Sequence, residues 1–295
     1  MPAASSDPLL PTADPARPTE LPSGDYEVAV FENRFPSLVE EAGVLTSISG
    51  AQIEPAYGRC EVVAFCQSPD VSLWQLSVGY IALIMDVWAD RTRDMVQAGI
   101  SYILPFENRG AEMGVTLHHP HSQIYGYGFV PSLVTRAVAA QRDYMRETGR
   151  NLVGALAAEE RALGIRVIAT RQHALAFVPP FARYPYETWI IPMRPGADLL
   201  TLAPSEKMDV ASLLAEVLQR LDRLWDMPMP YLLTLNQAPF DNRDHPEWTL
   251  RIEIWPVRRS RDKLKFLAGT ELAADVFASD VLPEAAAAQL RSVQL

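Results

Sequence analysis

One order of elements occurs twice in this chain, and that repeat most narrows the folds open to it. In the first half, residues 26–31 and 60–66 read as strands, the second rich in β-branched residues. Residues 72–95 carry apolar side chains at helical spacing, with Ser72 placed to cap the helix. Residues 101–106 and 116–129 then read as strands, and 133–162 as a long charged helix or helix pair. The second half repeats the order, with strands at 174–178 and 188–192, a helix at 210–225 and strands at 231–235 and 248–255. An Ala-rich helix from Pro283 closes the chain. Helices that interrupt antiparallel-looking strands predict an α+β fold made of a duplicated unit. The expected division is an extended Pro-rich arm at 1–24, one half at 25–170 and a second at 171–295. The arm is expected to be disordered or to lie over a partner surface.

Composition excludes several classes of function. Net charge is -10, which argues against a nucleic-acid binder but leaves room for a small anionic ligand held by a few donors. No apolar run approaches the ~18 residues of a membrane span. The N-terminus lacks a basic start and an apolar block, so a cytoplasmic protein is expected. Two cysteines rule out a disulfide scaffold and a four-cysteine zinc site. There is no Gly-rich phosphate loop.

Three of the five histidines fall together at His118, His119 and His121. On a strand, residues two apart share a face, so His119, His121 and Gln123 are expected to project together. Two imidazoles and an amide on one face suit attack on a phosphate, because neutral imidazole is a nucleophile that needs no separate base. Asn108, Thr116 and Ser122 are candidate donors to charge developing in the transition state. A bare His-x-His pair is also met as polar core or as a surface patch. Phe31-Glu32-Asn33-Arg34 recurs as Phe106-Glu107-Asn108-Arg109, a local echo of the duplication.

The segments FENRFPSL (31–38), SPDVSLWQLS (68–77), FENRGAEMG (106–114) and HPHSQIYGY (119–127) resemble the galactose-1-phosphate uridylyltransferase family of the histidine-triad superfamily. YPYETWIIP (184–192), NQAPF (236–240) and KFLAGTE (265–271) continue the resemblance in the family's order. It implies two histidine-triad-like halves that share a mainly antiparallel half-barrel sheet with flanking helices. It also implies a homodimer with the active site near the subunit interface. The substrates implied are a nucleotide-sugar and a sugar 1-phosphate. His121 would attack the α-phosphate and carry the nucleotide in a ping-pong reaction. A carbonyl near Pro120, together with His119 and Gln123, would orient and stabilise. Asn33 and Phe35 match positions at the base and ribose, and Asn108 and Thr116 match phosphate contacts. Lys265 and Glu271 match residues that reach the hexose from the neighbouring subunit.

The departures from the family pattern shape the expectation further. Many members bind zinc through a Cys-x-x-Cys pair and two histidines. Here the corresponding stretch is Asp7 to Pro11, Val71 replaces one histidine, and only His119 of the set remains. A second metal site of some members falls on Arg251 and Glu253. No metal and no other cofactor is therefore expected. The family's opening basic segment has no match here, which makes Arg34 and Arg109 the candidate phosphate cations. Ser122 replaces a glycine and Thr270 an aromatic hexose contact, while His118, His173 and His245 read as structural. The expected activity is nucleotidyl transfer. A nucleotide-sugar hydrolase or phosphorylase, and a nucleotide-binding homologue without catalysis, are the alternatives.

Overall fold

The computed structural model describes residues 7–295 except 44, 46–48, 51, 52 and 197. The first six residues of the expected arm thus lie outside the described residues. Nine strands form one antiparallel sheet in the order β1-β2-β4-β3-β8-β9-β7-β6-β5. The first half supplies β1 (Ala29–Glu32), β2 (Gly58–Ala64), β3 (Tyr102–Arg109) and β4 (His121–Tyr127), with α1 (Val78–Gln97) between β2 and β3. Helices α2 (Ser132–Thr148) and α3 (Leu152–Leu163) lead to β5 (Val167–Thr170), β6 (Ala174–Phe177) and β7 (Thr188–Pro192). Next come α4 (Pro204–Arg223), β8 (Tyr231–Asn236) and β9 (Arg251–Pro256). A short hairpin of β10 (Arg258–Ser260) and β11 (Lys263–Leu264), then α5 (Gly269–Ala274) and α6 (Pro283–Ser292), complete the chain.

The strand order shows the duplication in space. Read from the seam outward, the first half runs β3, β4, β2, β1 and the second runs β8, β9, β7, β6. The seam itself is an antiparallel pairing of β3 with β8, from Phe106 opposite Thr234 to Arg109 opposite Tyr231. Helices α1 and α4 occupy equivalent places in the two halves and pack against each other. Their apolar stripes, including Ile84, Met85 and Trp88 from α1 and Leu214, Val217 and Leu218 from α4, are fully buried in one core. Val153 and Ala157 of α3 instead cover Phe177 and Trp189 in a separate cluster. None of the described helices is long and apolar enough to cross a membrane.

Several boundaries differ from the sequence reading, each for a local reason. Ser72 does not cap α1. It opens a 3-10 turn at Leu73–Gln75, with its N–H donating to Gln75 Oε1 at 2.7 Å, and Ser77 caps the helix five residues later. Of the two forms expected at 133–162, the helix pair is the one present, broken where Gly149 takes a left-handed φ of 69° and Asn151 caps α3 through Gly154 N–H. Helix α4 starts earlier than expected, at Pro204, where proline's missing N–H costs nothing. Strand β5 pairs with β6, so residues 167–170 belong with the second half's strands and not with the first.

The N-terminal arm is the largest correction. Residues 7–24 do not extend away from the molecule; they fold back on their own chain. Leu9 and Leu21 are each 2% exposed. The segment closes on itself through Thr12 N–H to Leu21 O at 3.0 Å and Glu20 N–H to Pro8 O at 2.9 Å. Proline forbids a helix here but not a buried loop whose polar groups find partners.

Candidate functional site

Strand β4 sorts its side chains by the two-residue period of a strand. Ser122, Ile124 and Gly126 face the core, and His121, Gln123 and Tyr125 face the opposite side. A Cβ at Gly126 would stand 2.8 Å from Met95 Sδ on α1 and 3.1 Å from Ile100 Cγ2, so any side chain there would have to displace both. Ser122 is fully buried and accepts a hydrogen bond from Trp88 Nε1 at 3.0 Å. Its hydroxyl therefore points away from the candidate site and is not placed to donate to a phosphate.

His121 lies where two cavities meet. The larger, about 440 Å³, is lined by Ser72, Glu107, Arg109, Met229 and Arg258 among others. The smaller, about 380 Å³, is lined by Pro8, Leu9, Asn33, Phe35, Thr116 and Gln123 among others. Asn108, Val115, Leu117 and His121 line both. The repeated Asn-Arg echo thus brings Asn33, just past the end of β1, and Asn108 of β3 to one cavity.

Hydrogen bonding fixes the imidazole's tautomer. His121 Nδ1 lies 2.7 Å from the His119 carbonyl, which can only accept. The proton is therefore on Nδ1, and Nε2 keeps the lone pair. Burial holds the ring's pKa below the ordinary histidine value, outweighing the carbonyl bond that favours protonation. A neutral ring with its free nitrogen at Nε2 is the form a nucleophile requires. The orienting carbonyl belongs to His119. The Pro120 carbonyl instead accepts from Phe65 N–H at 3.1 Å.

Gln123 is also oriented. Its Oε1 accepts from Asn33 Nδ2 at 3.2 Å, which leaves the amide N–H₂ free for a ligand. Asn33 Oδ1 in turn accepts from Phe35 N–H at 2.9 Å. Phe35 is 81% exposed at the rim of the smaller cavity, a flat apolar surface open to stacking.

The His119 ring does not share this face. It is buried, with Nδ1 3.0 Å from Asp7 Oδ2 and Nε2 2.6 Å from the Cys66 carbonyl. Of His119, it is the main chain that reaches His121. Lys265 and Glu271 are not brought to His121 within the chain. They bond to each other at 3.1 Å beside a separate small cavity lined also by Phe266.

The arginines around the two cavities are already paired. Arg34 meets Glu20 at 3.0 Å, Arg258 meets Glu112 at 2.6 Å, and Arg109 meets Asp222 through bonds of 2.5 and 2.8 Å. Arg109 also donates to Ser72 Oγ at 2.8 Å and lies over the Tyr231 ring. It is a built-in structural cation and not a free phosphate clamp. Beside it Glu107 is buried and accepts from Tyr231 O–H at 3.0 Å. Burial pushes its carboxyl up to about 7. The motif placed Glu107 near the site, but only the fold shows that it is enclosed. Asp222 and Arg258 carried no signal in the sequence, since each is joined to its partner by the fold alone; the Asp7 stretch was marked only as the one standing where the family's zinc cysteines fall.

Among the described residues, no three His, Cys, Asp or Glu side chains converge as a metal would require. Cys60 and Cys66 are free and buried, and Cys66 Sγ donates to Ser68 O. Arg251 Nε bonds Glu253 Oε1 at 2.6 Å on β9, an ion pair where the family resemblance would put metal ligands.

A duplicated antiparallel sheet holds an oriented histidine between two cavities, a constellation suited to nucleophilic attack on a phosphate. The chain belongs to the galactose-1-phosphate uridylyltransferase family, whose N-terminal domain model matches residues 3–131 and whose C-terminal domain model matches 137–295. It is 35% identical to the galactose-1-phosphate uridylyltransferase of Thermotoga maritima over 94% of this chain and 87% of that one. It is 36% identical to that of Streptomyces lividans over 99% of this chain and 80% of that one. Among solved structures, a uridylyltransferase superposes with a TM-score of 0.89 at 31% identity, covering 99% of this chain and 92% of the other. An ADP-glucose phosphorylase from Arabidopsis thaliana with bound ADP-glucose superposes with a TM-score of 0.78 at 26% identity, covering 91% and 83%. By family the protein is an enzyme, a nucleotidyltransferase.

Proposed function

We propose that the protein moves a nucleoside monophosphate between a nucleotide-sugar and a sugar 1-phosphate through a covalent nucleotidyl-His121. The observation that carries this reading is the His121 ring, protonated at Nδ1 toward the His119 carbonyl at the meeting point of two cavities. In the first step Nε2 attacks the α-phosphorus, an N–P bond forms, and the P–O bond to the sugar phosphate breaks. In the second, an oxygen of the incoming sugar 1-phosphate attacks, and the N–P electron pair returns to Nε2. The Gln123 amide and Asn108 are the donors assigned to the non-bridging oxygens. Asn33 and Phe35 are assigned to the nucleoside. Thr116, on the loop lining the smaller cavity, is assigned to the phosphates. Curated relatives named for galactose 1-phosphate support a hexose 1-phosphate acceptor.

We assign Lys265 and Glu271 to the hexose of a neighbouring subunit in a homodimer. Exposed Phe266 and Leu272 flank the pair and support a covered surface there. A cytoplasmic location is part of the reading, supported by two free buried cysteines. No metal takes part in it.

The test is mass spectrometry of the intact protein and its peptides after incubation with UDP-glucose. The reading requires added mass of one UMP on His121 that disappears on adding galactose 1-phosphate. Absence of the adduct with every common nucleotide-sugar contradicts it. A phosphorylase is the second reading, favoured by the likeness to an ADP-glucose phosphorylase and by the pairing of the cavity's arginines. Inorganic phosphate that discharges the adduct to a nucleoside diphosphate, while sugar 1-phosphates do not, selects that reading.

A further inference from the structure

The N-terminal arm places a carboxylate directly behind the nucleophile. Asp7 and the His119 ring are both buried, with side chains 9% and 0% exposed. Asp7 Oδ1 accepts from Leu9 N–H at 2.9 Å, and Oδ2 meets His119 Nδ1 at 3.0 Å. His119 Nε2 meets the Cys66 carbonyl at 2.6 Å. The carbonyl only accepts, so Nε2 carries a proton. A second proton lies between Nδ1 and the carboxylate. The ring is therefore held from both sides, and the pair as a whole is neutral in a place where a lone charge would be expensive.

That clamp sets the His119 peptide. The same residue's carbonyl receives His121 Nδ1–H and so determines where Nε2 points. The arm meanwhile supplies Pro8, Leu9 and Glu20 to the smaller cavity. Different residues of the arm do the two jobs: Pro8, Leu9 and Glu20 line the cavity, and Asp7, which does not line it, holds His119. The donors around His119 do not suit a zinc ion. Val71 stands where the family resemblance would put a second histidine, and both His119 nitrogens already have protein partners.

We propose that Asp7 is a positioning residue for His121, acting through the His119 ring, and that it fills the place of a structural metal in this chain. This rests on the reading of His121 as the nucleophile. A misplaced nucleophile loses rate far more than binding, by about 100-fold per ångström.

The test measures single-turnover formation of the His121 adduct from UDP-glucose in the full-length protein. Wild type is compared with Asp7→Ala, Asp7→Asn and Leu9→Ala, the last loosening the arm but keeping the carboxylate. Asp7→Ala is expected to slow adduct formation about 100-fold while the Kd for UDP-glucose stays within about threefold. Asp7→Asn, which still offers an oxygen to His119, is expected to recover at least tenfold of that loss. Nitrogen-15 NMR of the histidine rings is expected to show the His121 Nδ1–H signal broadened or shifted in Asp7→Ala and retained in Asp7→Asn. An Asp7→Ala rate within threefold of wild type overturns the proposal. So does an equal loss in Leu9→Ala, which would assign the effect to docking of the arm and not to the carboxylate. No adduct in wild type overturns the nucleophile itself, a separate failure.

Discussion

Arg109 of β3 and Asp222 of α4 are joined by two hydrogen bonds, of 2.5 and 2.8 Å, that tie the first half to the second. Asp222 also accepts from Trp74 Nε1 at 2.7 Å and Met229 N–H at 2.9 Å. The two side chains are 17% and 11% exposed. Removing one member leaves a buried charge without its partner. Asp222→Ala is expected to lower the unfolding free energy by about 3–5 kcal/mol. Urea denaturation measures it, and the double variant with Arg109→Met should lose less than the sum of the single losses.

Ser122 gives a sharper contrast, because its neighbours in sequence are both in the site and it is not. Ser122→Ala leaves the buried Trp88 N–H unpaired, which costs about 1–3 kcal/mol. Adduct formation is expected to stay within twofold of wild type. A tenfold loss of rate at unchanged stability would return Ser122 to the phosphate site.

His121→Ala removes the only atom that bonds to phosphorus in the proposed reaction. Turnover is expected to fall by about 10⁴-fold or more, and the adduct to vanish. Calorimetry is expected to find UDP-glucose affinity within about tenfold of wild type, since the nucleoside contacts remain.

The acid limb of adduct formation should lie below the ordinary histidine value of 6.5, because burial favours the neutral His121 ring. The single-turnover rate is expected to be flat from pH 7 upward and to fall only as protonation takes the Nε2 lone pair. A midpoint at or above 6.5 contradicts that environment.

Glu107 predicts the opposite slope in stability. Its carboxyl, pushed up to about 7 by burial, prefers to be uncharged in the fold. The unfolded chain loses that proton at lower pH, so stability from this group is complete below the unfolded value and is lost as pH rises through about 7. Glu107→Gln keeps an acceptor for Tyr231 O–H and cannot ionise. Melting curves at pH 5 to 9 should show the variant gaining on wild type at the alkaline end, by on the order of 3 kcal/mol.

Most of the order of strands and helices was legible from periodicity, and so was the strand that carries His121; β5, the β10–β11 hairpin and α5 were not. Asn108, Thr116 and Gln123 were candidates from residue type and spacing, Asn33 and Phe35 from the family resemblance alone, and the structure brings all five to one cavity with His121. Ser122 was misread even though strand alternation alone turns it away from His121. His119 shares the expected strand parity, but β4 begins only at His121, so its ring is free to turn inward to Asp7. Contacts between distant segments left no trace in local pattern, although the family resemblance set the Asp7 stretch and His119 at one former metal site. Asp7 and His119 are 112 residues apart, and Arg109 and Asp222 are 113 apart. Nothing local in either segment requires the other.

The pairing of β3 with β8 also decides how this molecule is able to move. Main-chain hydrogen bonds run without interruption from one half to the other, and α1 rests on α4 behind them. A clamshell opening would have to tear that seam, with Arg109 and Asp222 in it. In the proposed reaction, movement of sugar phosphates past His121 falls to the pieces that lie outside the sheet, the loop from Gly110 to Pro120 and the folded-back arm.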